Sequence, residues 1–308
     1  MTGGGAPRSI SRLASASRRS CTEVHSLAVL DAKRDIVSRM HPPRQTSVWR
    51  MLTKYNECAI FKHISNNVCH QFKKFFHKNW DNTATLSIMK YHDKSMFPPA
   101  DSADEYGIVA ASDFLNCDML IDAYSHGIFP WPFGEEERYI PWCAPLERGV
   151  IMIDDFHIPH GVRRDMKKWN FSFAVDRNFK EVITSCAAAV RKDQDGTWIT
   201  SGIIETYCQF HRLGYAHSFE AYDEQGNLAG GLYGISVGRI FCGESMFYRV
   251  SGASKFAFVK MAEFLKNAGV KVIDTQMVTN ATAVFGAKEI PSTEYIELLK
   301  QYGGNPLF

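Results

Sequence analysis

The chain has 308 residues, a formal net charge of +2 and 45% apolar against 22% charged side chains, which is the composition of a globular protein and excludes a collagen-like, coiled-coil or wholly disordered one. No apolar run approaches the roughly 20 residues that a membrane-crossing helix needs, so any membrane contact is peripheral. The charge is divided: residues 1–100 hold 16 Lys+Arg against 6 Asp+Glu, and residues 101–308 hold 19 against 27, giving the two parts opposite electrostatic character.

In the first 22 residues Arg8, Arg12, Arg18 and Arg19 stand among many serines with no acid before Glu23. That is the composition of an organellar transit peptide, and equally that of a basic tail. Up to residue 94 the short apolar clusters, such as Phe72, Phe75 and Phe76, keep no period, so residues 1–94 read as a basic extension, disordered or targeting. The eight cysteines are scattered without a zinc or redox spacing, which points to a reducing compartment.

Beyond residue 94 the signals sharpen. Asn116 is placed to cap a helix in which Met119, Leu120, Ala123 and Tyr124 share a face, and Gly127 supplies the stop. The stretch from Gly127 to Trp142 is so rich in Pro and aromatics that it reads as a rigid loop. A helix is predicted over 159–169, with Val162, Met166 and Trp169 on one side and Arg163, Arg164, Lys167 and Lys168 on the other. Phe171 to Val175 alternates as a strand, a helix carries Val182, Ile183 and Cys186, and another ends near Gly214. His217 to Tyr222 is a strand, and Leu228 to Phe247 reads as a glycine-broken hairpin. Ser251 to Asn267 has helical spacing closed by Gly269, followed by a β-rich segment, Val270 to Val278. The order β, β, α, β predicts an α+β domain with the helix packed on a mixed sheet.

Two places on those strands carry chemistry. Asp274 and Gln276 stand two apart, hence on one strand face, where a carboxylate and an amide need partners; satisfaction at a strand end is the simpler account of the spacing alone. By the same alternation Cys242, Glu244 and Met246 share a face, with an acid between two sulfur-bearing side chains.

Eight motifs run in order along residues 95–300: Gly127-Ile-Phe-Pro-Trp131, Gly196-Thr-Trp-Ile-Thr200, Gly214-Tyr-Ala-His-Ser218, Gly230-Gly-Leu-Tyr-Gly234, Phe241-Cys-Gly-Glu-Ser-Met-Phe247, Ala253-Ser-Lys255, Ile273-Asp-Thr-Gln276 and Gly286-Ala-Lys-Glu-Ile-Pro291. Together they resemble the motif series of leucyl/phenylalanyl-tRNA protein transferases. The resemblance implies a small N-terminal α/β domain, here 95–170 with the aromatic loop and basic helix, followed by a GCN5-related acetyltransferase-like catalytic domain, here 171–308. It implies transfer of Leu or Phe, with Met as a further amino acid, from its tRNA to a protein beginning with Arg or Lys, creating a degradation signal. It further implies a cytoplasmic monomer without cofactor or metal, the Arg/Ser-rich N-terminus leaving an organellar alternative open.

Carried across, Trp131 resembles the aromatic support of the terminal adenosine, and Trp198, Phe241, Glu244 and Met246 match residues around the aminoacyl group. Phe241, Met246 and Leu232 are expected to line an aminoacyl pocket that selects by shape. Asp274 and Gln276 match the proposed catalytic pair: Gln276 bonds the incoming amine, Asp274 orients and polarises the Gln276 amide, and Glu244 helps hold the basic N-terminus or the amine. Arg163, Arg164, Lys167 and Lys168 match the tRNA-binding helix; a solvated helix face is the alternative, but four cations on one short face of an otherwise acidic module favour RNA. Ala111-Ser-Asp113 stands where the family has Gly-Gly-Asp, and Thr279 and Ala281 stand at its Asn and His positions.

Two rival readings accompany this one. Arg249-Val-Ser-Gly252-Ala253-Ser254 approaches a pyrophosphate-cradling loop, which suggests an acetyl-CoA-dependent acetyltransferase. A non-catalytic RNA-binding relative is the other, against which Glu244, Asp274 and Gln276 speak.

Overall fold

A computed structural model describes residues 94–132, 139–189 and 197–308. The basic extension to residue 93, Phe133 and Gly196 lie outside the described residues. At the start of the described chain, Ser95 Oγ and the Met96 amide each donate to Asp122 Oδ2 at 2.8 Å. Phe97 is buried against Trp142, ring centroids 4.6 Å apart. A chain shortened to begin at Lys94 keeps all of these contacts. It is expected to unfold in one cooperative transition at the denaturant midpoint of the full chain; a loss of cooperativity would assign part of the core to residues 1–93.

Strands β1 (Ile108–Ser112), β2 (Phe129–Pro130) and β3 (Ile140–Cys143) form an antiparallel sheet in the order β1-β3-β2. The Pro-rich aromatic stretch therefore contains two short strands, where composition predicted an irregular loop. Pro130 fits because β2 is an edge strand, where a missing N–H breaks no ladder, and the Trp131 amide continues the pairing to the Pro141 carbonyl at 2.8 Å. Ser112, in the divergent Ala111-Ser-Asp113 segment, accepts the buried Trp142 indole N–H at 2.8 Å and donates to the Phe114 carbonyl. Helix α1 (Cys117–Ser125) is capped as predicted: Asn116 Oδ1 accepts from the Met119 amide at 2.9 Å.

The larger sheet has seven strands: β4 (Glu147–Met152), β5 (Ser172–Val175), β6 (Ala216–Tyr222), β7 (Leu228–Val237), β8 (Ile240–Tyr248), β9 (Val272–Gln276) and β10 (Lys288–Pro291). Their spatial order is β10-β4-β9-β8-β7-β6-β5. Every neighbouring pair is antiparallel except β8 and β9, which helix α5 (Ala253–Ala268) joins. The predicted β, β, α, β series is thus β6, the β7–β8 hairpin, α5 and β9. Strand β4 falls within residues 95–170 yet pairs into this larger sheet.

The remaining helices are α2 (His160–Met166), α3 (Phe179–Ala188), α4 (Ser201–Arg212), α6 (Asn280–Ala283) and α7 (Ser292–Tyr302). Helix α2 is shorter than the 159–169 span predicted. The Lys168 amide bonds to the Asp165 carbonyl at 2.9 Å and the Trp169 amide to that of Met166 at 3.3 Å, the three-residue spacing that tightens a helix end. Lys167 and Lys168 therefore sit in the turn, just past the helix.

Side chains alternate across the larger sheet into two cores. Tyr233, Ile235, Val237 and Cys242 join the core that also holds Tyr124, Tyr207 and Tyr295, whereas Leu232, Phe241 and Ile273 join the one under α5. No described helix is long and apolar enough to cross a membrane.

Candidate active site

Asp274 is fully buried on β9, and each of its acceptor positions is filled. Oδ1 accepts from Arg148 Nε at 2.9 Å and from the Gln276 amide at 2.8 Å; Oδ2 accepts from Arg148 Nη2 at 2.6 Å and from the Tyr295 hydroxyl at 2.7 Å. A carboxylate offers about four lone-pair positions, so none is left for a substrate. The third nitrogen of Arg148 donates to the Gly127 carbonyl at 2.9 Å. Its guanidinium lies between the Phe129 ring at 4.9 Å and the Tyr295 ring at 4.4 Å. Burial works against this charge, but Asp274 overrides it and holds the guanidinium pKa above its ordinary value. One arginine thus ties the small sheet, the larger sheet and α7 together.

Gln276 departs from the predicted alternation. Val150 faces Asp274 and Gly149 faces Gln276, so Thr275 is an extra residue that makes a bulge. Gln276 has a φ of 55°, and the Met277 amide bonds to the Thr275 carbonyl at 2.6 Å, closing a γ-turn about it. A non-glycine residue held in left-handed backbone costs on the order of 1–3 kcal/mol. The bond from its N–H to Asp274 holds it there. Gly149 is required opposite, because a Cβ at that position would lie 2.5 Å from the Met277 carbonyl carbon. Asp274 therefore orients Gln276 through its main chain, where the sequence scheme had it bonding the side-chain amide.

The Gln276 side chain turns to Glu244, donating from Nε2 to Oε1 at 3.0 Å. The same Oε1 accepts from the Tyr124 hydroxyl at 2.8 Å, and Tyr124 in turn bonds the Tyr207 hydroxyl at 2.6 Å. Since Tyr124 gives its proton to Glu244, Tyr207 donates to Tyr124. Burial pushes the Glu244 carboxyl up to about 8, while the Tyr124 hydrogen bond pulls it down. Burial also raises both tyrosines well above the ordinary phenol value.

A second bulge explains where Glu244 points. Tyr233 faces Ser245 and Gly234 faces Gly243, leaving Glu244 as the extra residue of β8. Of the predicted common face, Cys242 and Glu244 still reach tyrosines of one core, and Met246 is turned away. Cys242 lies 3.8 Å from the Tyr295 hydroxyl in the first core, and Met246 packs on the core under α5.

The other expected site residues divide accordingly. Trp131 and Trp198 are brought together, centroids 6.5 Å apart, against the core that holds Tyr124 and Tyr207. Leu232 and Phe241 are buried in the opposite core, Phe241 edge-on to Phe219 at 5.4 Å. Of that trio Met246 alone keeps exposed surface. Arg163, Arg164, Lys167 and Lys168 are all exposed, while Val162, Met166 and Trp169 face the core under α5. The spacing divided those two sides correctly.

The Arg249–Gly252 loop is organised differently from a pyrophosphate cradle. Arg249 turns to α3, donating to Glu181 Oε1 at 3.0 Å and to Ser185 Oγ at 2.9 Å. The Trp169 indole fills the space a Cβ on Gly252 would take. Arginine and glycine are thus both engaged within the fold.

Arg148, Gly149, Tyr207 and Tyr295 escaped the sequence reading, and Tyr124 entered it only as a core residue. One signal pointed to Arg148: an aspartate amid Val272, Ile273 and Val278 requires a cation or several donors when buried. Nothing local in the sequence said which arginine supplied them.

Comparison with known proteins gives a consistent result. The family model described as leucyl/phenylalanyl-tRNA protein transferase matches residues 150–300, and that of the same family's N-terminal domain matches residues 115–146. The leucyl/phenylalanyl-tRNA–protein transferase of Saccharophagus degradans is 43% identical over 212 residues, 68% of this chain and 85% of its own. That of Flavobacterium johnsoniae is 42% identical over 204 residues, 66% of this chain and 95% of its own, and that of Anaeromyxobacter dehalogenans 40% identical over 214 residues, 70% and 91%. Among solved structures, the GCN5-related glucosamine N-acetyltransferase region of a fungal multi-domain β-N-acetylglucosaminidase is similar at 14% identity and a TM-score of 0.34, covering 47% of this chain and 20% of that one.

Proposed function

Because the chain belongs to the leucyl/phenylalanyl-tRNA–protein transferase family, we propose that it transfers an amino acid from an aminoacyl-tRNA to the N-terminus of a protein. The observation that carries this reading is the Gln276 amide. It is held by a strained turn and anchored through Nε2 on Glu244, while its Oε1 accepts no hydrogen bond among the described residues. A fixed amide oxygen of that kind is suited to receive an amine N–H. The donor ester is already activated, so placement and electrostatics suffice without a covalent enzyme intermediate.

In this reading Asp274 and Gln276 form the positioning pair and Glu244 faces the amine. Trp131 and Trp198 stack on the terminal adenosine and the aminoacyl end. Met246 meets the amino-acid side chain, with Leu232 and Phe241 as the packed wall behind it. Such an apolar pocket distinguishes side chains by about 1–3 kcal/mol per methylene, which favours Leu, Phe and Met over Ala. Arg163, Arg164, Lys167 and Lys168 contact the tRNA phosphates. The acceptors are proteins beginning with Arg or Lys, the product is a degradation signal, and the enzyme acts as a cytoplasmic monomer.

The test is incubation of the purified protein with radiolabelled Leu-tRNA or Phe-tRNA and a protein beginning with Arg or Lys, with and without acetyl-CoA. Label should enter the protein, and acetyl-CoA should change nothing. Consumption of acetyl-CoA while both tRNAs are ignored would overturn the reading. Gln276→Ala should slow single-turnover transfer by roughly 10²-fold, the scale of one preorganised hydrogen-bonding group, with aminoacyl-tRNA affinity unchanged. Wild-type rates in that variant would remove Gln276 from the chemistry.

A further inference from the structure

The acceptor's α-amine carries a proton near neutral pH and must lose it before it can attack the ester. Asp274 has no acceptor position open, and an amide such as Gln276 is too weak a base. Glu244 differs from both: Oε1 is anchored by Tyr124 and Gln276, and Oε2 carries no hydrogen bond among the described residues. Resting on the reading above, we propose that Glu244 is the proton acceptor, taking the α-ammonium proton on Oε2 while Gln276 Oε1 holds the same nitrogen.

The groups around Glu244 suit that task. Tyr124 of α1 and Tyr207 of α4 extend from Oε1 as a buried chain. Cys242 precedes it on β8. Asp274, which disfavours its ionised form, is neutralised by Arg148 of β4 and bonded by Tyr295 of α7. With burial raising the carboxyl to about 8, its affinity for a proton matches that of an α-amine, about 7.7–8.0. Transfer between them is close to balanced, the condition under which a general base is most effective.

Protons and bonds balance in this step. The ammonium gives one proton to Glu244, and the neutral nitrogen then attacks the ester carbon, forming the C–N bond. The bond from that carbon to the ribose oxygen breaks, and Glu244 returns its proton to the departing oxygen. The nitrogen's second surplus proton passes through the freed carboxylate to solvent.

The pH dependence of kcat/KM for a peptide acceptor beginning with Arg tests this, measured in single turnovers with bound Leu-tRNA. In the wild type the step needs ionised Glu244 whether the amine arrives protonated or neutral, so the profile should rise with pH through about 8 and level off. Glu244→Gln keeps the shape and the Oε1 bonds but not the base. It should lose roughly 10²-fold or more on that plateau, its remaining rise with pH set by the free amine alone. Tyr124→Phe removes a bond that favours the ionised carboxylate, so its ascending limb should move to higher pH. A wild-type plateau rate in Glu244→Gln, or an unmoved ascending limb in Tyr124→Phe with Leu-tRNA affinity intact, overturns the assignment. Failure of the wild type to transfer from either tRNA would instead overturn the proposed function.

Discussion

Replacing Arg148 with Met is expected to cost about 3–5 kcal/mol of folding stability, the range for breaking a buried ion pair by removing one partner. Arg148 is 2% exposed and Asp274 fully buried, so the orphaned carboxylate has no water to turn to. The loss exceeds a simple ion pair in consequence, since Arg148 also reaches the Gly127 carbonyl and fills the space between Phe129 and Tyr295. Chemical denaturation of Arg148→Met, Asp274→Asn and the double variant provides the check. With both charges gone nothing charged is left unpaired, so the double variant should be more stable than the sum of the two single losses allows. Additive losses would show that the two residues contribute separately. Arg148→Lys should recover the charge but only part of the stability, because an ammonium cannot reproduce the two-pronged contact of Arg148 with both carboxylate oxygens.

Reversing Arg163, Arg164, Lys167 and Lys168 to Glu should have the largest effect on tRNA binding. Each phosphate contact contributes roughly 0.7–0.9 to the slope of log affinity against log salt, so losing four flattens it by roughly 3. Leu and Phe carriers should weaken alike, since phosphates carry no sequence information. The fold should survive. The four side chains are exposed, and the ion pair among them, Arg164 with Asp165 at 3.2 Å, is a solvent-facing contact of the kind worth little. The anchoring side, Val162, Met166 and Trp169, is untouched. An unchanged salt slope in the fourfold variant would place the tRNA elsewhere.

The features legible in the chain alone are those whose causes are local. Asn116 capped its helix because a side-chain oxygen three residues before an amide needs nothing distant. The two sides of residues 162–169 followed from helical spacing, and β6, the β7–β8 hairpin, α5 and β9 followed from the alternation and the glycine stops. Motif order along the chain was enough to suggest the family, since motifs are read in one dimension. The assembly of the site, by contrast, was settled by tertiary contacts. Strict alternation put Asp274 with Gln276, and Cys242 with Glu244 and Met246. Asp274, Cys242 and Glu244 do reach tyrosines of one core, and Gln276 reaches Glu244 there. The bulge at Glu244, however, turns Met246 to the other core, and the bulge at Thr275 sets Gln276 in a strained turn. Neither Thr275 nor Glu244 carries a local mark of being the extra residue; the partner strand fixes it, through Gly149 in one case and Gly234 in the other. Arg148 lies 126 residues from Asp274 and Tyr124 lies 120 from Glu244. A buried carboxylate demands donors, but which donors reach it depends on how the strands are ordered in the sheet, and that order is not written in any local stretch of the chain.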